Sequence, residues 1–525
     1  MTDTRRLVLL AAGCAAAAAA VYAGVLHGAF VYDDFPAVFE NLTLRGHSLA
    51  AVLLYTRFRP LVNLSYALDA ALFGLAPFGF HLGSVLLHAA NTALAALLCD
   101  AAFRDAAEKS GTPPPRPLLR VLPALCFALH PLNTQAVAYI AARAEVLSTT
   151  FVFLSLLSLR RALRTGEARW LAAGFAALAA GLACKETAAA VPAVALAWAL
   201  FLLPASDLRA RRALWISLAV LAAAGIARVI AFRLEATPPR GLLENLLLEA
   251  AMLWRYAALF VFPAGQTLLH HVRELSSPAD PRALLALAAL GAAAVALARV
   301  RSRAPLAVFG VAWFALLLAP AALVPLLEPL SEHRAYAAGF GLCLAAASAA
   351  QELVGARGAT ALMSAAAIIC VPLTLRRNQL WADPPRLWAE AAERSPDLWR
   401  AKYALGKQLA DSGDCASAET PLRRAAKLSQ SDVRAHNELA RCLSAQGRTP
   451  EAYSVLDEAL HRDPRSTLTL ANLAALALTA RRPDVAREYL SRALALEPLN
   501  DARRERLQSL QSLTPAAEAP WPPSR

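Results

Sequence analysis

The sequence predicts an all-α protein, in which a polytopic bundle of membrane-spanning helices is followed by a helical-repeat solenoid. Long apolar runs recur up to about residue 375, and a regular repeat begins near residue 399. The 525-residue chain is 58% hydrophobic and only 17% charged, with a mean hydropathy of +0.43, whereas soluble proteins have roughly a quarter charged residues. Charge is sparse before Leu375 and dense after it, so the two parts face different solvents.

Eleven segments are apolar over about the 20 residues that a helix needs to cross a bilayer. They are 7–26, 80–100, 118–136, 144–160, 170–184, 187–204, 213–232, 282–299, 304–323, 336–353 and 358–375. The segment 244–263 is interrupted by Glu244, Glu249 and Arg255, so we interpret it as interfacial or re-entrant.

Arginines in the short loops predict the orientation of these spans. They cluster before the first span, between the fourth and fifth, after the sixth, and between the eighth and ninth. The clusters comprise Arg5, Arg6, Arg160, Arg161, Arg164, Arg169, Arg209, Arg211, Arg212, Arg299, Arg301 and Arg303. With eleven spans they all lie on one side, which the positive-inside rule makes cytoplasmic. The prediction is a cytoplasmic N-terminus and a periplasmic C-terminal region, in a bacterial inner membrane by its Ala- and Arg-rich composition.

The formal charge of +13 does not indicate nucleic-acid binding, because no stripe of alternating basic and aromatic residues accompanies it. Eight cysteines form no CxxC motif and no metal-ligand spacing with histidine. Cys415 and Cys442 fall in the repeat region, where we expect them to be unpaired, although an oxidising compartment would allow them to pair.

From Trp399 the sequence repeats with a period of 34 residues. Small residues recur where paired helices approach, leucines recur in the core, and proline closes two of the units. The recurring sets are Leu405, Leu439 and Leu473; Gly406, Ala440 and Ala474; Ala418, Ala452 and Ala486; Leu422, Leu456 and Leu490; Ala425, Ala459 and Ala493; and Gln430, Pro464 and Pro498. This is the tetratricopeptide pattern.

The predicted organisation is a membrane domain over 1–375, a linker over 376–398 and three repeats over 399–432, 433–466 and 467–500. A cap helix reaches residue 511, and 512–525 is a disordered tail. Such an array provides a concave interaction surface, which binds a polypeptide segment or mediates dimerisation.

Ionisable residues collect at helix ends that the predicted topology places outside the cytoplasm. Such residues near membrane depth are costly and usually functional. The groups are Asp33 and Asp34; Arg59; His130; Arg143 and Glu145; Lys185 and Glu186; and Glu332, His333, Arg334 and Tyr336.

Paired acids beside arginine, lysine and histidine suit transfer of a sugar from a lipid phosphate to a hydroxyl. A carboxylate accepts the hydroxyl proton, and the cations stabilise charge on the leaving phosphate. Structural alternatives stay open for each group. The Asp33–Asp34 pair also fits a solvated loop or helix cap, Lys185–Glu186 an ion pair, and His130 before Pro131 a helix stop.

The motifs resemble the transmembrane and tetratricopeptide-repeat O-mannosyltransferases and their bacterial relatives, within the C-type glycosyltransferases. The matching stretches follow the family's order over nearly the whole chain. They are Phe30 to Asp34, Phe58 to Asp69, His81 to Leu94, Phe127 to Leu147, Cys184 to Glu186, Glu332 to Tyr336 and Arg377 to Trp388.

The resemblance implies a polyprenyl-phosphate monosaccharide donor, mannose included, and inverting transfer to a hydroxyl acceptor on the outer face. It implies Asp33 as the first choice for the base and Asp34 as the second. Lys185, Arg334, His333 and Arg59 would hold the donor phosphate. The residues expected to shape the site are Glu186, His130, Arg143, Glu145, Glu332 and Tyr336. The repeats would present a protein acceptor.

Two departures from the family pattern stand out. Asn133 and Gln135 replace the family's second histidine and acid after His-Pro, and the loop near 264–276 carries His270 and His271 where relatives often have an aspartate–aromatic pair. We expect no cofactor, and we disfavour a divalent cation at Asp33 and Asp34.

Two other functions compete with the enzyme. A non-catalytic scaffold for envelope assembly would use the repeats alone and would tolerate loss of both aspartates. A transporter of lipid-linked sugars would need charges deep within the spans, whereas here they lie at helix ends.

Overall fold

The computed structural model describes residues 3–46, 48–204, 239–275, 277–496 and 501–512, with isolated positions between 219 and 230. Within these ranges the chain is all-α and contains no strand. It divides into two compact units, one of Met1–Leu268 with Val272–Asp383, the other of Leu269–His271 with Pro384–Arg525. The division falls within the predicted linker 376–398. The predicted fold class is confirmed.

The first unit contains the apolar helices. Their bounds are α1 Asp3–Tyr22, α2 Leu49–Leu54, α3 Pro60–Phe73, α4 Pro77–Ser110, α5 Pro117–Leu129, α6 Thr134–Ala138, α7 Arg143–Thr165, α8 Ala168–Leu182, α9 Val191–Leu202, α10 Leu242–Val261, α11 Pro281–Val300, α12 Pro305–Leu323 and α13 Ala335–Trp381. Several begin with proline, whose fixed φ and missing N–H suit the first helical position. The long helices α4 and α7 end at Gly111 and Gly166 in the left-handed conformation that closes a helix.

The chain is a multi-pass membrane protein, although the predicted count of eleven spans is not confirmed. Six helices of the described ranges are long and apolar enough to cross a bilayer, or seven if α5 and the bent segment Pro131–Ala138 form one span. Helices α8 and α9 are shorter, and the predicted span 213–232 lies outside the described residues.

Two of the predicted spans lie on either side of a break in α13, and the uncertain segment forms a helix of its own. Helix α13 is interrupted at Gly355 (φ 72°, ψ 171°), between the predicted spans 336–353 and 358–375. Helix α10 corresponds to the segment 244–263; it carries three charged residues and is not among the helices apolar enough to span.

One end of the bundle is tied by arginine–aspartate pairs. The guanidinium of Arg120, at the start of α5, lies 3.0 Å from Asp3 of α1 and 3.0 Å from Asp100 of α4. Near the end of α7, Arg160 lies 2.5 Å from Asp105. The turn after α1 and the segments that lead into α3 and α7 therefore lie at the opposite end of the bundle, where the predicted polar groups fall.

Close packing holds α12 against α13. A Cβ atom on Gly310 would collide with the carbonyl oxygen of Gly341, and the reverse also holds. The ring of Trp313 lies 5.1 Å from that of Phe340, and its Nε1 donates to the Ala337 carbonyl at 2.9 Å. The two glycines let the backbones approach closely, as small residues do between membrane helices.

The second unit contains the repeat helices. Their bounds are α14 Pro384–Arg394, α15 Trp399–Asp411, α16 Cys415–Leu428, α17 Arg434–Ala445, α18 Thr449–Arg462, α19 Thr467–Thr479, α20 Pro483–Leu494 and α21 Asp501–Ser512. Helices α15 to α20 form three pairs, one in each predicted unit. Gly406 faces Leu422 so closely that a Cβ would lie 2.5 Å from its Cγ. The predicted tail, from residue 513 onward, lies outside the described residues.

Candidate functional site

Six of the residues predicted for the site line one cavity of about 440 Å³ in the first unit. Five connections contribute to it: the turn after α1, the entry to α3, the segment before α7, the connection between α8 and α9, and the segment before α13. Its polar lining comprises Asp33, Tyr55, Thr56, Arg59, Asn63, Tyr66, Tyr139, Lys185, Glu186, Glu328, Ser331, His333 and Arg334.

The two adjacent aspartates differ in environment. Asp33 is exposed and lines the cavity. Asp34 is 0% exposed, and its carboxyl oxygens accept hydrogen bonds from the backbone N–H groups of Val31 at 3.0 Å and Ala141 at 2.7 Å. Burial raises the pKa of Asp34 to about 8. Asp34 thus ties the turn to the segment before α7, and Asp33 is the carboxylate available to a ligand.

The turn that carries the two aspartates contains an unusual backbone conformation. Tyr32 has φ of 50°, in the left-handed region that a bulky residue rarely adopts. Its hydroxyl donates to Glu328 Oε1 at 3.1 Å. The backbone N–H of Asp33 donates to the hydroxyl of Tyr139 at 3.1 Å. Contacts distant in sequence therefore hold this turn.

One wall of the cavity is basic. Arg59 and Arg334 line it together with His333. Both arginines and Lys185 lie close enough to His333 and Glu186 to act on them electrostatically. The buried Nδ1 atom of His333 has no hydrogen-bond partner in the described part of the chain. The guanidinium groups of Arg59 and Arg334 make this wall suited to an anionic ligand.

Lys185 forms a buried ion pair with a partner other than its sequence neighbour. Its Nζ lies 2.7 Å from Glu145 Oε2, and the two side chains are 7% and 0% exposed. Thr187 Oγ1 donates to the same oxygen at 3.4 Å. The ion pair considered between Lys185 and Glu186 is therefore between Lys185 and Glu145. Glu145 itself does not line the cavity.

His130 and Arg143, two of the residues expected to shape the site, lie outside the cavity. The ring of His130 stacks on Phe260 at 4.4 Å, and its Nε2 lies 2.8 Å from the Phe260 carbonyl oxygen. Arg143 pairs with Asp69, and its guanidinium lies 4.8 Å from the ring centre of Tyr66, which does line the cavity. Arg143 thus supports the cavity wall from behind.

Glu332 and Tyr336 are also buried behind the cavity. Glu332 accepts from the side chain of Gln266 at 3.0 Å and from the backbone N–H of Thr267 at 2.6 Å. The hydroxyl of Tyr336 lies 2.7 Å from His88 Nδ1 and accepts from Asn91 at 3.2 Å. These contacts fix the start of α13 and the turn Glu332–Arg334 before it, which carries the two basic residues of the wall.

Asn133 and Gln135, which depart from the family pattern after His-Pro, form hydrogen bonds inside the protein. The amide of Asn133 donates to the Phe127 carbonyl at 2.6 Å. The amide of Gln135 donates to the Leu268 carbonyl at 3.3 Å and accepts the backbone N–H of His333 at 2.8 Å. Neither lines the cavity, so their replacement of a histidine and an acid removes no group from its surface.

Sequence reasoning missed five polar residues of the cavity, of which Tyr55 and Thr56 precede α3. The other three are Tyr139, Glu328 and Ser331. Tyr139 belongs to the stretch that carries the family resemblance, and Glu328 precedes the tenth predicted span on the predicted outer side. That position was the signal in the sequence that could have assigned Glu328 to the site. The side-chain direction of Tyr139 depends on a turn that periodicity does not encode.

The donor set of the cavity does not resemble a metal centre. In the described ranges, no group of three or more histidine, cysteine, aspartate or glutamate side chains lies close enough to hold a metal ion.

Comparison with known proteins gives one family model and a set of relatives. A model described as tetratricopeptide repeat matches residues 409–477. Protein O-mannosyl-transferase Tmtc1 of Drosophila melanogaster is 34% identical over 191 residues, which are 34% of this chain and 21% of the relative. Protein O-mannosyl-transferase TMTC1 of Mus musculus is 34% identical over 180 residues, covering 31% and 18%.

A third relative is Protein O-mannosyl-transferase Tmtc2 of Drosophila melanogaster, 32% identical over 197 residues, covering 33% of this chain and 20% of the relative. The chain spans about a fifth of the length of the curated relatives it matches. These similarities confirm the resemblance that the motifs indicated.

Proposed function

We propose that this chain, a relative of the transmembrane and tetratricopeptide-repeat O-mannosyltransferases, is a membrane glycosyltransferase. It moves a monosaccharide, mannose being our first choice, from a polyprenyl-phosphate carrier to a hydroxyl group on a protein. Transfer takes place at the extracytoplasmic face with inversion at the anomeric carbon.

One observation carries the proposal: an exposed aspartate and a basic wall share one cavity. Asp33, Arg59 and Arg334 all line the same 440 Å³ space. They come from segments about 26 and 275 residues apart along the chain. Folding alone brings them together, and a scaffold whose function lies in its repeats would not require this arrangement.

The chemistry follows from the two sides of the cavity. The acceptor oxygen attacks the anomeric carbon while the bond from that carbon to the phosphate oxygen breaks. Asp33 takes the hydroxyl proton as general base. The departing lipid phosphate keeps the bonding electrons, and Arg59 and Arg334 stabilise its charge.

Lys185 has a double role in this scheme. Its charge is balanced by Glu145 at 2.7 Å, so it adds less to the cavity than an unpaired lysine would. The ion pair nevertheless fixes the ammonium group at the basic wall. Binding a phosphate oxygen there therefore costs little further side-chain entropy.

An apolar groove beside the basic wall suits the carrier's isoprenoid chain. It has a volume of about 220 Å³, lies between α10 and α12, and is lined by alanine and leucine apart from Glu249 and Tyr256. Tyr256 donates to the Ser331 carbonyl at 3.0 Å, three residues before Arg334. A phosphate at Arg334 would therefore lie next to the groove.

We propose further that the repeats bind the acceptor polypeptide and that the cavity faces the periplasm of a bacterial cell. The arginine–aspartate pairs at the far end of the bundle support this orientation, because basic residues concentrate on the cytoplasmic side. Transfer is proposed to need no metal ion, since charge on the phosphate is met by arginine and lysine side chains.

The primary test measures transfer of radiolabelled sugar from a panel of polyprenyl-phosphate monosaccharides to periplasmic protein acceptors. We compare wild type, Asp33→Asn, Asp34→Asn and an Arg334→Gln variant, with and without a chelator. Label incorporated by wild type and lost in Asp33→Asn supports the enzyme. Absence of transfer from every donor favours the scaffold, and sensitivity to the chelator contradicts metal-free transfer.

The groove is tested with donors that differ only in the length of the isoprenoid chain. Ala319→Trp fills the groove, whereas Leu285→Trp adds the same ring to the exposed face of α11. Two methylenes that lose apolar contact cost about 1.6 kcal/mol, or roughly tenfold in affinity. We expect Ala319→Trp to raise KM for the long donor alone; equal effects on both donors would contradict this site.

A further inference from the structure

We propose that Glu328 and Tyr139 are positioning residues that turn the Asp33 carboxylate into the cavity. The proposal rests on the proposed function, in which Asp33 is the base. It assigns two residues that the family motifs did not single out. Both act through hydrogen bonds to the turn that carries the aspartate pair.

In this turn the side chains of the neighbouring residues Asp33 and Asp34 point in opposite directions. Asp34 is fully buried and Asp33 is exposed. Tyr32 precedes them in the left-handed backbone conformation, with φ of 50°. A residue with a Cβ persists in that conformation only where its surroundings hold it. The orientation of Asp33 therefore depends on what holds Tyr32.

Glu328 supplies the hold on Tyr32. Its Oε1 accepts from the Tyr32 hydroxyl at 3.1 Å, across 296 positions of sequence. Its Oε2 accepts from the hydroxyl of Ser331 at 3.4 Å, which fixes the carboxylate in turn. Because Ser331 lies directly before the basic wall at His333 and Arg334, this chain of contacts links the acidic and basic sides of the cavity.

Tyr139 holds Asp33 directly. Its hydroxyl accepts from the Asp33 backbone N–H at 3.1 Å and lies close to the Asp33 side chain. The Tyr139 ring stacks on Trp381 with centroids 5.8 Å apart and an interplanar angle of 25°. The rigid ring therefore presents its hydroxyl at a fixed point, which limits the rotation of Asp33.

Alternative readings of Glu328 make a different prediction. If it served as a second base or held a cation, its charge would be essential. If it positions Tyr32, then any side chain that presents an oxygen at the same place suffices. Glutamine has such an oxygen and alanine does not.

The kinetic experiment compares Glu328→Gln, Glu328→Ala, Tyr32→Phe, Tyr139→Phe and the double variant of Tyr32→Phe with Glu328→Ala. Loss of one neutral hydrogen bond corresponds to about threefold to tenfold in rate, and misplacement of the base reaches roughly a hundredfold. We expect kcat to fall in Glu328→Ala, Tyr32→Phe and Tyr139→Phe with donor KM unchanged. Glu328→Gln should stay close to wild type, and the double variant should be no worse than the stronger single one.

Two control variants remove the same kinds of group at positions away from this turn. Tyr22→Phe removes a buried hydroxyl that has no hydrogen-bond partner in the described residues, and Glu244→Gln neutralises an exposed acid at the start of α10. Neither should change kcat. A Glu328→Gln variant as slow as Glu328→Ala, or a Tyr32→Phe variant as fast as wild type, would overturn the proposal.

A second measurement does not depend on transfer. Hydrogen–deuterium exchange of the peptide that contains residues 31–34 reports whether the turn is held, in detergent and without donor. Exchange should accelerate in Tyr139→Phe, Tyr32→Phe and Glu328→Ala, and should be unchanged in Tyr22→Phe. If wild type transfers no sugar, the proposed function fails while the exchange data still decide the positioning role; unchanged exchange in all variants refutes that role.

Discussion

Substitution of Asp34 by asparagine separates the structural aspartate from the exposed one. In the folded chain each Asp34 oxygen accepts one backbone N–H, from Val31 at 3.0 Å and from Ala141 at 2.7 Å. An asparagine offers one carbonyl oxygen, and its amide nitrogen only donates. One buried backbone N–H must therefore lose its acceptor, and it faces an NH₂ group instead.

The expected magnitude follows from that single loss. A buried donor left without a partner costs about 1–3 kcal/mol, and the site is 0% exposed, so water cannot replace the missing carboxyl oxygen. Asp33→Asn changes an exposed carboxylate, where substitutions usually stay within about 0.5 kcal/mol. We expect Asp34→Asn to unfold at a clearly lower temperature than wild type and Asp33→Asn to match wild type while losing transfer.

Thermal unfolding of the purified variants in one detergent, read by intrinsic fluorescence and by the monodisperse fraction on size exclusion, provides the assay. Asp34→Ser, which keeps a small acceptor, serves as the partial-rescue control. Equal unfolding temperatures for Asp34→Asn and wild type, or a larger loss in Asp33→Asn, would refute the assignment of roles to the two aspartates.

The same residue predicts a pH dependence. Burial raises the pKa of Asp34 to about 8 from an ordinary value of 3.8. Between these values the folded chain keeps a proton that the unfolded chain has released. Stability should therefore fall as the pH rises through this range and level off above about 8. Asp34→Asn should lose this slope, and an identical slope in the variant would contradict the prediction.

Three further predictions concern the supports of the site. Glu145→Gln and Lys185→Met should each lower the free energy of unfolding by about 3–5 kcal/mol, because each leaves one buried partner of the 2.7 Å ion pair uncompensated. The double variant should regain stability in thermal unfolding but should not regain sugar transfer. Gly310→Val should abolish a monodisperse size-exclusion peak by forcing α12 from α13, whereas Gly291→Val on α11, where a Cβ meets nothing within 4 Å, should not. Gln135→Glu should keep the bond from the His333 N–H but lose the one to the Leu268 carbonyl, at about 1–3 kcal/mol in thermal unfolding; unchanged stability would show that the amide bond contributes little.

Much of the site was predictable because its residues lie at helix ends. Asp33, Arg59, Lys185, Glu186, His333 and Arg334 were all predicted for the site, and all line one cavity. Hydropathy locates the helix ends, and loop charges assign them to sides of the membrane. These two local signals suffice to place distant polar groups on one side, although not to bring them into contact.

The supporting roles were not predictable in the same way. Glu332 and Tyr336 belong to the same stretch as His333 and Arg334, yet both are buried behind the cavity. His130 stacks on Phe260 instead of reaching the cavity. A motif reports which residues are close in sequence, whereas the direction of each side chain depends on the turn in which it lies and on neighbours from other helices.

The sequence by itself determined the all-α class, the change of solvent near residue 375 and the three helix pairs of the repeat array. Each rests on a short-range regularity: apolar length in the first unit and a 34-residue period in the second. The tertiary structure decided which aspartate faces the cavity, that Lys185 pairs with Glu145, and that Tyr139 and Glu328 hold the turn at Asp33. These contacts join side chains 40 to 296 positions apart, and no local pattern of hydrophobic and polar residues specifies such a pairing.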